Sequence, residues 1–490
     1  MGKRNVIISV ILLITVLAIM GYLFRQDRKN IFTDPYKAVS KSACFVIETV
    51  DLQSFLNSLT TGKGLFAEAG KVREFDTFFR QLKYLTDQFN KKAFKELLNN
   101  GTAIISFHFD KAGELKSILS MALTGGTNIR QIKESLRFSG IKDFSESKLN
   151  GSNILKIPYA VNNKKDTVYV SLISGLVLCS GSEELIEDAM IQSGRDNDVR
   201  SLPGFSRVLQ ASGKNEDKLF VVFSNLPSLL KNILGTAGHD LAEKIARLAG
   251  TAGGDIYINE DGLVLSGYTE SNDSSEYLYK YKSTQPRAFH TYKILPSSTV
   301  LFETLAMPVA SQPGKSDSTV SRGTVDLGIK LREFAGEEIT RAYINIKGRP
   351  VNDNTLIIYE LANRVQAEQL FREKLGTDSE TIYFEPDDQT KIPVYKNPFK
   401  GLTGVLLPGF APGFDDSYFA FYDKFLITGN SFITISRLLY DNILNKTLAN
   451  DLTYRDFEGS LPSRSGYFFY CVPARIIDYL AGSLNAGIIT

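Results

Sequence analysis

One run of side chains divides this chain before any other signal is read. From Asn5 to Phe24 the sequence is NVIISVILLITVLAIMGYLF, without a charged residue. About twenty apolar residues are what an α-helix needs to cross roughly 30 Å of hydrocarbon. Ile7, Val10, Leu13, Val16 and Ile19 run along the segment, and Tyr22 and Phe24 stand near its far end, where aromatic rings favour the interface. Lys3 and Arg4 precede it; Arg25, Arg28 and Lys29 follow it. A cleaved signal peptide would have a shorter apolar core and an A-x-A-like site before RQDRKN, and the sequence has neither. The reading is an uncleaved anchor whose partner is the lipid bilayer. No later stretch reaches eighteen apolar residues, so a single pass is expected. A short N-terminal tail before a start-transfer helix puts the bulk of the chain on the periplasmic or extracytoplasmic side.

The remainder reads as a folded body. Hydrophobic residues make up 43% and charged residues 22% of the 490, too apolar for a disordered chain. Basic and acidic side chains nearly cancel, 56 against 54, with no dense Lys/Arg block outside the membrane flanks. A nucleic-acid partner is therefore not expected. Residues 1–29 are the anchor and its flanks, and 30–42, with the helix-unfriendly Asp34-Pro35 step, a tether.

Beyond the tether, CFVIETV (Cys44–Val50) reads as a strand and DLQSFLNSL as a helix that Asp51 can cap. Apolar residues from Val72 to Leu98 recur at threes and fours, marking a long amphipathic helix. Strands are read at Ala103–Phe109, Asn153–Pro158, Thr167–Leu172, Leu176–Ser180, Leu219–Phe223, Asp255–Ile258 and Leu263–Gly267. Helices are read at Gly113–Leu123, from Ser182, at Pro227–Leu234 and at His239–Leu248.

The second half repeats the first. Leu176–Ser182 matches Phe425–Ser431, Leu219–Gly235 matches Gly466–Gly482, Val46–Thr49 matches Leu301–Thr304, and Ile157–Tyr159 matches Ile392–Tyr395. Four matches in one order indicate duplication. The expected fold class is α+β: a single transmembrane helix, then two similar α+β repeats with mainly antiparallel sheets, at 43–290 and 291–490. The polar segment Ser311–Thr324 is read as a loop where the first copy has its long helix. The second copy stops before any counterpart of the strand pair Asp255–Gly267, so it is read as incomplete at its C-terminus, or the natural chain as longer.

Chemistry is hard to find. Cys44, Cys179 and Cys471 lie far apart in apolar runs and read as buried hydrophobes. Gly314-Lys315-Ser316 lacks the earlier glycine of a phosphate-binding loop, where Val309 stands. Gly250, Gly253 and Gly254 follow a helix and precede a strand, the wrong order for a nucleotide site. Only His108, His239 and His290 could serve a nucleophile as base, and none accompanies a GxSxG elbow. The pairs Glu337-Glu338, Asp387-Asp388 and Asp415-Asp416 read as solvated turns or a helix end. No catalytic, cofactor-binding or metal-binding residue is assigned.

The N-terminal anchor, the opening CFVIETVDLQSFLNSL, the long helical stretch and the later strand-helix units resemble an uncharacterised family of bacterial envelope proteins, classed as a domain of unknown function. The resemblance covers the body from about Cys44 onward and supplies no catalytic residues. Its members can carry a further β-rich, propeller-like region. It implies an envelope location. The expected function is a non-enzymatic, membrane-tethered binding or scaffolding module with a protein partner in the envelope. The alternatives are a lipid or apolar-ligand carrier with a cavity between sheets and helices, and a hydrolase with dispersed carboxylates such as Asp415 and Asp416.

Overall fold

The central strands form here from apolar runs covered on both faces, such as Ala103–Phe109 and Thr355–Leu361. The computed structural model describes residues 34–472 and Arg475, apart from 62–72, 92–100, 111–113, 124–127, 150, 162, 174, 215, 259–262, 308–319, 377–379, 408–409, 411–413 and 460. The anchor residues 5–24 and most of the tether lie outside that set, as do Gly314-Lys315-Ser316. Among the described residues no helix is long and apolar enough to cross a membrane. The described chain is α+β, with two wholly antiparallel sheets. It divides into two compact units, and the boundary falls between Tyr279 and Lys280.

The first unit is built on β1 (Phe45–Thr49), β2 (Ala103–Phe109), β3 (Leu115–Ala122), β4 (Ser145–Leu149), β5 (Ser152–Val161), β6 (Lys164–Ile173), β7 (Leu176–Ser180), β8 (Lys218–Val222), β9 (Thr251–Ile258) and β10 (Leu263–Glu270). They lie side by side in the order 10-9-8-1-2-3-7-6-5-4. Its helices are α1 (Leu52–Thr61), α2 (Arg73–Phe89), α3 (Ile129–Phe138), α4 (Glu183–Ser193), α5 (Phe205–Ala211), α6 (Pro227–Ile233) and α7 (His239–Ala246). Alternation sorts the two faces of the sheet. Phe45 and Ile47 pack under α1, α2 and α6, whereas Val46 joins Phe205 and Val208 of α5 on the opposite face.

The second unit has β11 (Thr299–Ala306), β12 (Ala335–Ile344), β13 (Thr355–Leu361), β14 (Thr381–Phe384), β15 (Ile392–Lys396), β16 (Tyr418–Tyr422), β17 (Phe425–Gly429) and β18 (Tyr467–Cys471). Its helices are α8 (Arg322–Leu331), α9 (Arg364–Leu375), α10 (Leu402–Leu406), α11 (Phe432–Ile443) and α12 (Leu452–Gly459). The strand order is 18-11-12-13-17-16-15-14. That is the order 8-1-2-3-7-6-5-4 of the first unit, strand for strand, and among the described residues β9 and β10 have no counterparts.

Buried aromatic rings repeat with the topology. In the first unit Tyr36 lies 6.4 Å from Phe205, and Phe205 lies 5.0 Å from Phe220. In the second, Tyr292 lies 5.7 Å from Tyr454, and Tyr454 lies 5.1 Å from Tyr470. Each set joins a 3-10 turn ahead of the first strand to the helix after α4 or α11 and to strand β8 or β18.

All four sequence matches fall on corresponding strands, but only Leu176–Ser182 with Phe425–Ser431 is in ladder register. From Leu178, pairing leads through Ser120 and Ile104 to Glu48; from Ile427 it leads through Ile358 and Thr340 to Thr304. Glu48 therefore corresponds to Thr304, and Val46 to Phe302 rather than Leu301. Continuing outward, Lys218 corresponds to Phe468, and Phe220 to Tyr470 rather than Tyr467. Lys156 corresponds to Lys396, which displaces the Ile157–Ile392 match. A shift by an odd number of residues turns a side chain to the other face of the sheet. Glu48 accordingly bonds the Tyr36 hydroxyl on the α5 side, while Glu303 bonds the Tyr467 hydroxyl beside the α8–α10 core.

Several expectations change. Gly113–Leu123 is not a helix: Leu115–Ala122 is central strand β3 between β2 and β7. A short apolar run covered on both faces carries no period that separates helix from strand. The segment Ser311–Thr324 does not end as a loop, because Ser321 caps α8 through the Thr324 N–H at 3.1 Å. Its earlier residues lie outside the described set.

Candidate functional site

Among the described residues the second unit has no counterparts of β9 and β10, and it carries a groove beside its last strand. In the first unit β9 pairs along β8, and α5 packs on both hairpin strands. The Gly213 N–H donates to Asp255 at 2.8 Å and the Arg207 guanidinium to Glu270 at 3.0 Å. Glycine is required in that hairpin: a Cβ on Gly253 would stand 2.3 Å from the Phe220 ring. In the second unit a groove of about 370 Å³ lies between α12, the loop that follows it and the faces of β11 and β18. That volume is within the roughly 300–1,000 Å³ of ordinary ligand sites.

Its floor is aromatic. Phe302 and Phe468 stack at 5.5 Å, with Tyr292 and Tyr454 beside them. Its rim carries Arg287, Arg455 and Glu458. Arg287 holds Glu337 at 3.0 Å and pairs through its backbone with Ser465, at the start of the free edge of β18. β18 is the last strand in its sheet, so the outward backbone groups of Tyr467, Phe469 and Cys471 have no strand beside them among the described residues.

A line of hydroxyls runs from the groove into the protein. Thr304 on the floor lies 2.7 Å from the Thr340 oxygen; Thr340 donates to Thr291 at 2.9 Å, and Thr291 to Glu338 at 2.9 Å. The Glu338 carboxylate also accepts the His290 backbone N–H, at 2.8 and 3.0 Å. Glu338 is 1% exposed, and burial pushes its carboxyl up to about 7, with the Glu360 charge adding to the effect. Sequence reading had placed the pair Glu337-Glu338 in a turn or at a helix end, but both lie inside β12. The signal that could have found Glu338 is the strand pattern of EEITRAYI, which puts one glutamate on each face.

His290, Glu338 and Glu360 bring three ligand atoms within 4.8 Å of one another, a cluster no sequence spacing announced. The histidine ring is held below its ordinary value by partial burial and by Lys424. A metal ion fits this set poorly. The Lys424 ammonium already sits on Glu360, and the Glu338 oxygens are occupied by N–H and O–H donors.

The other residues singled out in the sequence are dispersed. His108 is 4% exposed in β2, lies 3.0 Å from Ser42 and 2.8 Å from Ser106, and burial lowers it to about 4. His239 opens α7. Asp416 is not in a solvated turn. It is fully buried, accepts the Thr403 N–H at 3.1 Å and the Thr403 hydroxyl at 2.8 Å, and so fixes the start of α10. Asp387 stays in an exposed turn and accepts the N–H groups of Gln389 and Thr390. Gly253 and Gly254 lie within β9. Cys44 and Cys179 are buried thiols pushed up to about 12 by desolvation, and Cys471 is half-buried.

A second space lies in the first unit, under α2 and α3. It is lined by Tyr84, Leu85, Gln88, Met121, Leu136 and Val177 among others, and holds about 60 Å³.

Fold and site together define an antiparallel α+β protein of two units, one with a capped sheet edge and one with an open amphipathic groove. No protein-family model, curated protein or solved structure matches the chain.

Proposed function

We propose that the chain is a membrane-tethered, non-enzymatic binding module of a bacterial envelope, and that its groove receives an extended polypeptide by strand addition. Residues 5–24 hold it in the bilayer, and its body is a duplicated α+β unit lying outside the cytoplasm. One observation carries the proposal. The position beside β8 that a β-hairpin fills in the first unit has no strand beside β18 in the second among the described residues. An unpaired edge supplies backbone hydrogen bonds to an incoming strand, and a neighbouring pocket selects its alternate side chains. The aromatic floor and the arginine-bearing rim suit that division of work.

Selection of random octapeptides against the detergent-solubilised chain tests this. Extended, β-prone peptides are expected, and Phe469→Pro should lose them while keeping the melting temperature. The Phe469 N–H points away from β11, so proline there removes only an outward donor. Equal capture by the variant would refute strand addition.

The largely apolar cavity of the first unit favours a second reading, an apolar-ligand site. At about 60 Å³ it falls well short of the range for drug-sized ligands, so it suits only a small apolar molecule unless α2 moves. Native mass spectrometry of the purified chain would reveal such a ligand.

A further inference from the structure

The edge of β18 has a defined end. The Ala306 N–H donates to the Gly466 carbonyl and the Val472 N–H to the Val300 carbonyl, so the even-numbered residues of the strand bond β11. The backbone groups of Ser465, Tyr467, Phe469 and Cys471 therefore point outward. At Ser465 both are taken: its N–H donates to the Arg287 carbonyl and its carbonyl accepts the Arg287 N–H, each at 3.0 Å. The Arg287 backbone thus holds the place beside Ser465, and a strand added along Cys471, Phe469 and Tyr467 abuts it. Direction follows from the sheets. β18 is antiparallel to β11, the Arg287–Ser465 bridge is antiparallel, and β9 is antiparallel to β8 at the corresponding edge. An added strand of that sense runs from Cys471 toward Tyr467, so its C-terminal end is the one that meets Arg287.

The side chains at that end suit a carboxylate. Arg287 stands where edge and groove meet, with its backbone on the edge and its side chain in the groove lining. It holds Glu337 at 3.0 Å, and a guanidinium carries donors enough for a second acceptor. Arg455, exposed on α12, lines the same groove, and among the described residues no carboxylate pairs with it. Against these two arginines the lining has one carboxylate, Glu458. The Ser465 hydroxyl, also in the lining, is buried without a hydrogen-bond partner among the described residues, a cost that an incoming acceptor removes.

We infer that the second unit receives the free C-terminus of a partner polypeptide, its last residues paired antiparallel with β18 and its terminal carboxylate held by Arg287 and Arg455. The inference rests on the strand-addition reading above and names the part of the partner that is bound. A chain continuing past Tyr467 has to leave the sheet at Arg287, whereas a chain ending there brings its charge to two arginines.

Two libraries of random octapeptides test this on the full chain in detergent, one with free carboxyl ends and one continued by a fixed Gly-Ser-Gly-Ser tail. Capture should come from the free-ended library. The tightest binder, synthesised as the acid and as the C-terminal amide, should favour the acid by at least about tenfold, the worth of one charge-assisted hydrogen bond. Arg455→Gln, at an exposed position, should bring that ratio toward one, and Arg455→Lys should restore part of it. Equal capture of both libraries, an acid no better than its amide, or a ratio unchanged in both Arg455→Gln and Arg287→Gln overturns the inference; where Phe469→Pro still abolishes capture, strand addition stands without it. A preference for the acid that survives Phe469→Pro overturns strand addition and leaves the carboxylate site. No capture from either library overturns both.

Discussion

Two buried titratable groups, one in each unit, should make the units respond to pH in opposite directions. Glu338, in the second unit, titrates near 7 against an ordinary 4.5. A carboxyl raised in the folded state favours the protonated form, so its contribution is full below the unfolded value and is lost as pH rises toward 7. At about 1.36 kcal/mol per pH unit the interval amounts to about 3 kcal/mol. His108, in the first unit, is lowered to about 4 from 6.5. A histidine lowered in the folded state contributes fully above 6.5, and that contribution is lost as pH falls toward 4, again about 3 kcal/mol. Between pH 4.5 and 7 the first unit should therefore gain stability while the second loses it. For domains of this size, 1 kcal/mol moves the melting temperature by roughly 2–4 °C, so each transition should shift by roughly 6–12 °C. Calorimetry across that range should show two transitions moving against each other. Neighbouring groups modify the second: Asp416, also raised by burial, acts with Glu338, while His290, lowered but about a third exposed, acts weakly against it. The difference between wild type and Glu338→Gln cancels those contributions. Glu338→Gln should flatten the transition that falls with pH, and His108→Gln the one that rises. Transitions that move together, or keep their pH slopes in both variants, would refute the reasoning.

Four other outcomes are expected. Asp416→Ala leaves the Thr403 N–H unpaired at the start of α10, while the Thr403 hydroxyl keeps Tyr359, and should cost about 1–3 kcal/mol in urea unfolding, the cost of a stranded buried group. Lys218→Met strands the buried Glu48 carboxylate and should cost about 3–5 kcal/mol, whereas Lys218→Met with Glu48→Leu should recover much of it. Val177→Ile, growing into the largely apolar cavity of about 60 Å³, should raise stability by up to about 1 kcal/mol, because voids cost about 24 cal/mol per Å³. Alkaline carbonate should leave the intact chain in the membrane pellet, and removal of residues 1–29 should release it to the supernatant.

Much of the first unit was legible because its signals are local. Ser182 does accept the Leu185 N–H as the cap of α4, and the apolar stripe of α2 does face the core. Central strands were harder. LKSILSMA is covered on both faces, so it lacks the alternation that reveals a half-exposed strand. The repeat was legible as pairs of corresponding strands but not as register, because apolar runs match equally well at several offsets. The clearer signal was Tyr36-Lys37 against Tyr292-Lys293, whose spacing equals the ladder correspondence of Val46 with Phe302. The groove itself could not be read, because its walls come from segments far apart in sequence, from Arg287 through Thr304 to Phe468.

The register correction bears directly on how two copies of one topology can differ in use. On the α5 side of the first sheet, Tyr36, Glu48 and Lys218 form a buried hydrogen-bonded set. At the corresponding places the second unit has Tyr292, Thr304 and Phe468, the side chains that floor the groove. An ion pair as buried as Glu48–Lys218 needs a lid, since charges taken from water are stable only where packing and hydrogen bonds surround them. Rings and hydroxyls need none: they tolerate water when the groove is empty and offer contact area when it is filled. The exchange of a buried ion pair for an aromatic floor lets the second sheet keep its core beside a groove, which is why the proposed binding is assigned to the second unit rather than the first.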